Sequence, residues 1–124
     1  MASGVVPAKI TDRTFDFAIE IVAICQALDS KPGVARTLGR QLLRSGTSIG
    51  ANVEEAQAGQ SRADFISKCS IALKECRETV YWLRLLTVHK LAEVERLNQL
   101  RQEADEICRI LSTIVLRTKQ RRAS

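Results

Sequence analysis

The chain has 124 residues, 45% hydrophobic, 27% charged and 4% aromatic, with a formal net charge of +5. That length and apolar share suit one domain with its own core and exclude a disordered tail. A single histidine, His89, excludes His-rich zinc sites and Glu-x-x-His di-iron patterns, and leaves little room for Ser-His or Cys-His machinery.

Strands have little support, because β-branched residues never alternate with period two. Helical periodicity runs through the whole chain. A first helix is predicted over residues 12–28, with Phe15, Ala18, Ile19, Val22 and Cys25 on one face. Ser30-Lys31-Pro32-Gly33 reads as a turn feeding the first turn of a second helix, where proline is tolerated. That helix runs to residue 58 with Val34, Leu38, Leu42, Ile49, Val53 and Ala56 inward, and Gly59 is placed to terminate it. Ser61 and Asp64 resemble a capping box opening a third helix that extends to residue 88. Its inward seam is Phe65, Cys69, Leu73, Cys76, Val80, Leu83 and Thr87. A fourth helix, residues 92–119, repeats Leu97, Leu100, Ala104, Ile107, Leu111 and Ile114 in steps of three and four. Four helices with short connections, each apolar along one side, predict an all-α, antiparallel up-down-up-down four-helix bundle spanning residues 1–124, with 1–10 and 120–124 loose.

The four cysteines, Cys25, Cys69, Cys76 and Cys108, form no Cys-x-x-Cys pair, and no signal peptide is recognisable before them. They read as reduced thiols of a cytoplasmic protein, serving as small buried hydrophobes. No apolar run approaches the roughly 18 residues of a membrane span, so no membrane partner is expected.

Some features exceed what a lone bundle needs. On the third helix Ile71, Glu75, Glu78, Trp82 and Leu85 form a second seam opposite the first, which predicts self-association with Trp82 as its anchor. On the first helix Phe17, Ile21, Ile24 and Leu28 step in the same way beside the stripe named above. Gly39, Gly46 and Gly50 occupy a narrow angular range of the second helix, where another backbone could approach closely, each at a cost of about 1 kcal/mol relative to Ala. Ser45 and Asn52 fall on the inward stripe, and with Arg44 and Glu55 they suggest a buried polar network that Glu75 and Glu78 could join. Without histidine ligands, that carboxylate set reads as structural, with no metal, cofactor or catalytic residue expected.

Residues 1–60 are electrically neutral, whereas residues 61–124 carry the whole +5. After Glu106 there are no acids, and Arg109, Arg117, Lys119, Arg121 and Arg122 are candidates for contact with nucleic-acid phosphates. With only five aromatics in the chain, base stacking has little to draw on.

Three stretches, QLLRSGTSIGAN at residues 41–52 followed by Glu55, IALKECRETVYWLRLL at 71–86 and EADEICRILSTIVLRTK at 103–119, resemble the four-helix-bundle family of 23S ribosomal RNA intervening-sequence proteins. The likeness is carried by Gln41, Ser48, Ile49, Asn52 and Glu55, then by Ala72-Leu73-Lys74-Glu75, Glu78-Thr79 and Trp82-Leu83, and finally by Glu103 and Thr118-Lys119. It implies a bundle that assembles as a ring-like homopentamer, an association with inserts in large-subunit ribosomal RNA genes, and no established catalytic residues. Together these readings predict a non-enzymatic oligomer touching RNA or DNA backbone. The alternative is a scaffold or adaptor for a protein partner, with no nucleic-acid role.

Overall fold

The chain folds as four helices in a computed structural model that describes residues 8–123, and side chains from 10 to 121. They are α1 (Ala8–Asp29), α2 (Val34–Gln57), α3 (Arg62–Val88) and α4 (Val94–Ala123). The helices pack as the expected bundle: α1 against α2, α2 against α3, α3 against α4, with α4 closing on α1 over fewer positions. Of the ends expected to be loose, residues 1–7 and 124 lie outside the described residues. Residues 8–10 form the first turn of α1, and 120–123 the last turn of α4.

The sequence sets the helix boundaries through three different devices. Gly33 precedes α2 with φ 96°, a left-handed conformation that side chains disfavour, so the helix begins at Val34 and Pro32 stays in the turn. Gly59 follows the end of α2 with no positive φ, and the Ala58 N–H closes the helix on the Glu54 carbonyl. Ser61 caps α3, its Oγ accepting from the Asp64 N–H at 3.1 Å, as the capping-box reading anticipates. At the far end of α3 the N–H groups of His89, Lys90 and Leu91 return to the carbonyls of Leu85, Thr87 and Leu86. Lys90 takes φ 52° to do so, in a position usually given to glycine.

The core is built from Phe17, Ile21, Ile24 and Leu28 of α1, with Leu42, Ile49 and Val53 of α2, Phe65, Cys69 and Leu83 of α3, and Leu97, Ile107 and Leu111 of α4. This corrects the expected orientation of α1. Its stripe Phe15, Ile19 and Val22 faces outward, 62%, 51% and 39% exposed, Ala18 is half-buried, and of that set only Cys25 reaches the core. The cause lies on α2, where Gly39, Gly46 and Gly50 admit α1. A Cβ at Gly39 would lie 2.9 Å from Leu28 Cβ, one at Gly46 would lie 2.9 Å from Ile21 Cγ2, and one at Gly50 would lie 3.3 Å from the Thr14 carbonyl. The Cys25 thiol donates to the Gly39 carbonyl at 3.2 Å across the same interface. Smaller corrections concern Val34, which is exposed, and Leu38, Val80, Thr87 and Ile114, which are half-buried. On α4, Val115 and Thr118 take the inward positions after Leu111.

Candidate functional site

The candidate cations on α4 divide into two places. Arg109, exposed, sits midway along the helix beside Cys108. Arg117 follows eight residues later, about 12 Å along the axis at 1.5 Å per residue. Arg117, Lys119 and Arg121 are exposed around the last turns of α4, on either side of Thr118, the last buried side chain described. The Arg122 side chain lies outside the described residues. Antiparallel topology puts this end of α4 beside the α2–α3 connection and the start of α1.

The expected polar network separates into four local sets on the α2–α3 side. Ser45 is fully buried and accepts from Thr79 Oγ1 at 2.9 Å, while Thr79 Oγ1 also reaches the Glu75 carbonyl at 2.8 Å. Asn52, half-buried, donates to Ser48 within its own helix. Arg44 and Glu55 are not buried, with side chains 50% and 64% exposed. Both lie at the surface, where long charged side chains keep their heads in water. Glu55 pairs with Lys68 at 3.1 Å, and Arg44 bridges α2 to α3 by pairing with Glu75 at 3.2 Å and with Glu78. Trp82 Nε1–H donates to Glu78 at 3.0 Å. That hydrogen bond and the Arg44 guanidinium hold the Glu78 carboxyl below the usual carboxylate range. A carboxylate so stabilised is a poor general acid.

Two apolar regions are only partly covered. On α3, Ile71 is 39% exposed, while Trp82 and Leu85 are half-buried and Tyr81 packs edge-on to Trp82 with ring centroids 5.1 Å apart. The second region lies on the α1–α2 side, where Phe15, Ile19 and Val22 of α1 and Leu43 of α2 are exposed. Two apolar hollows of about 260 Å³ each indent this surface, one lined by Phe15, Ala18, Thr47 and Ala51, the other by Val22, Gly39 and Leu43.

Sequence reasoning did not find the α1–α4 cleft, because its parts come from opposite ends of the chain. It has a volume of about 490 Å³, with Phe17 and Leu100 on its floor and Asp16, Glu20, Glu93, Glu95 and Glu103 around them. Arg13 closes one end through two hydrogen bonds to Glu103 at 2.7 and 2.9 Å and a further one to Glu106. These pairs push the Arg13 guanidinium further into its charged form. Arg96 and Glu20 tie the helices together at 3.4 Å. No group of three or more metal-ligating side chains occurs among the described residues.

The family model for 23S rRNA-intervening sequence proteins matches residues 8–113. A crystal structure of a protein of unknown function, from the S23 ribosomal protein family of Bacteroides thetaiotaomicron, is 42% identical with a TM-score of 0.79, over 86% of this chain and 97% of that one. No curated protein matches. Among the described residues no helix is long and apolar enough to cross a membrane.

Proposed function

From the premise that this chain belongs to the 23S rRNA-intervening sequence protein family, we propose that it is a non-catalytic, self-associating helical module that holds RNA or DNA by its phosphates. The observation that carries this reading is the end of α4, where Arg117, Lys119 and Arg121 stand exposed and no acidic residue follows Glu106. A binding surface of that kind attracts backbone phosphate without reading sequence. The carboxylates nearest to a catalytic set support the non-catalytic part, since Glu75 and Glu78 are engaged by Arg44 and Trp82, and Glu55 by Lys68.

Self-association is supported by two dissimilar apolar faces on one chain, Ile71-Trp82-Leu85 on α3 and Phe15-Ile19-Val22 with Leu43 on the α1–α2 side. Unlike faces suit head-to-tail contacts, which close into a ring when the rotation between subunits permits. The family resemblance supplies the number five. In such a ring the cationic ends of several α4 helices gather at one rim and multiply the field each produces.

A salt-titrated binding assay with RNA and DNA tests the reading. Phosphate contact gives a steep loss of affinity with salt, and replacing Arg117, Lys119 and Arg121 by glutamine lowers the log–log slope by roughly 2 to 3 for each chain whose three contacts are lost. No retention at low salt, or an unchanged slope, ends the nucleic-acid reading. The acidic α1–α4 cleft favours a second one, a scaffold whose partner presents a basic segment. Trp82→Glu should yield smaller particles in light scattering; an unchanged mass removes the α3 face from the assembly.

A further inference from the structure

We propose that Cys108 and Cys76 form a peroxide-sensing thiol pair, in which Cys108 reacts first with a hydroperoxide and Cys76, across the α3–α4 interface, converts it to an intramolecular disulfide.

The geometry begins with close helix approach. Ala72 and Ala104 are fully buried where α3 meets α4, and the Cys76 thiol reaches the Ala104 carbonyl at 3.1 Å. In a helix that carbonyl is the acceptor of the residue 108 N–H, so the Cys76 sulfur lies against the turn that carries Cys108. The Cys108 side chain leans back toward the start of its helix, over the Ala104 turn. Across the interface each thiol is the strongest influence on the other's hold on its proton.

The pair is also asymmetric. Cys76 is fully buried, whereas Cys108 is half-buried. Arg77 and Arg109 lie near Cys108, with the Asp105 carboxylate opposing them. The neighbouring Cys76 and the two guanidinium groups favour the Cys108 thiolate, against burial and the Asp105 carboxylate. Cys76, raised by its Cys108 neighbour and by burial, keeps its proton, which it donates to the Ala104 carbonyl. Cys25 and Cys69 lack such help, and burial pushes them up to about 12 and about 11. One thiol is therefore activated and accessible, and its neighbour is placed to resolve it.

The chemistry balances with hydrogen peroxide as oxidant. The Cys108 thiolate attacks one peroxide oxygen and the O–O bond breaks. The sulfur becomes a sulfenic acid, and the departing hydroxide takes up the proton that Cys108 had released, leaving as water. The Cys76 sulfur then attacks the Cys108 sulfur, forming the S–S bond as the S–O bond breaks. The Cys76 proton leaves with that hydroxyl as a second water. Two thiols are oxidised and one peroxide is reduced to two waters.

The test uses the whole wild-type chain. After treatment with hydrogen peroxide the intact chain should be lighter by two hydrogens, and alkylation under denaturing conditions followed by peptide mapping without reductant should locate the change. The Cys76 peptide should be joined to the Cys108 peptide, with Cys25 and Cys69 still alkylated. Before oxidation, Cys108 in the folded protein should react with iodoacetamide at least about tenfold faster than Cys25 or Cys69. Cys76→Ser should stop at the sulfenic acid, captured at residue 108 by dimedone, and Cys108→Ser should leave Cys76 unoxidised. Equal alkylation rates for all four thiols, a disulfide between other positions or between two chains, or no sulfenic acid at residue 108 in Cys76→Ser would overturn the proposal. The alkylation and mapping results need no variant to fold.

Discussion

Replacing Gly46 by alanine tests how α1 and α2 meet. In an open helix the change adds about 1 kcal/mol, because alanine is the better helix former. Here the new methyl would sit 2.9 Å from Ile21 Cγ2 and 3.0 Å from Cγ1. Carbon pairs prefer about 3.5–4.0 Å, and Ile21 is fully buried in the core. Overpacking of this kind costs about 1–3 kcal/mol, so the net expectation is a loss of about 0–2 kcal/mol. The decisive measurement is a double-mutant cycle in urea, followed by circular dichroism at one protein concentration. Ile21→Ala alone should cost about 2–5 kcal/mol. Adding Gly46→Ala should then recover part of it, since the new methyl fills space that the isoleucine vacated, with a coupling of about 1 kcal/mol or more. If Gly46→Ala stabilises by the full open-helix amount, or if the two changes simply add, the glycine is not where α1 docks.

Other expectations follow from single contacts. Lys90→Gly should raise stability by about 1 kcal/mol, seen as a higher Tm, because lysine is held at φ 52°; a fall in Tm would refute the strain. The fluorescence of Trp82, the one tryptophan, should titrate with Glu78 at a midpoint below that of an ordinary glutamate, since Arg44 and the indole favour the carboxylate. The stability this gives is present above the unfolded pKa and is lost as pH falls through the depressed folded value. Arg44→Gln should move the midpoint up, and an unmoved midpoint would remove Arg44 from the cause. Arg13→Ala should cost about 1 kcal/mol and speed amide exchange in both α1 and α4; faster exchange confined to α1 would mean that Glu103 and Glu106 do not hold the two helices together.

The seams of α3 and α4, the Ser61 cap and the cationic run after Glu106 are legible in the sequence because each is a local pattern. The orientation of α1 is not, since Phe15-Ile19-Val22 and Phe17-Ile21-Ile24-Leu28 are both apolar at helical spacing. The information that decides between them sits on α2, where glycines at 39 and 46 accept Leu28 and Ile21. The buried-network expectation fails for Arg44 and Glu55 because angular position alone does not say how far a long side chain reaches back to water. Arg13 with Glu103 and Glu106 is illegible for another reason: the partners are 90 and 93 residues apart, and nothing local marks them as neighbours.

Every extensive interface in the bundle joins helices that follow one another in the chain, and the one pairing of distant segments, α1 with α4, is the slightest. Loop-closure entropy is therefore small for most of the structure, which belongs with the low-contact-order folds that form in microseconds to milliseconds. During synthesis the first hairpin can zip at its glycine stripe before the third helix exists, and each later helix adds to a surface already in place.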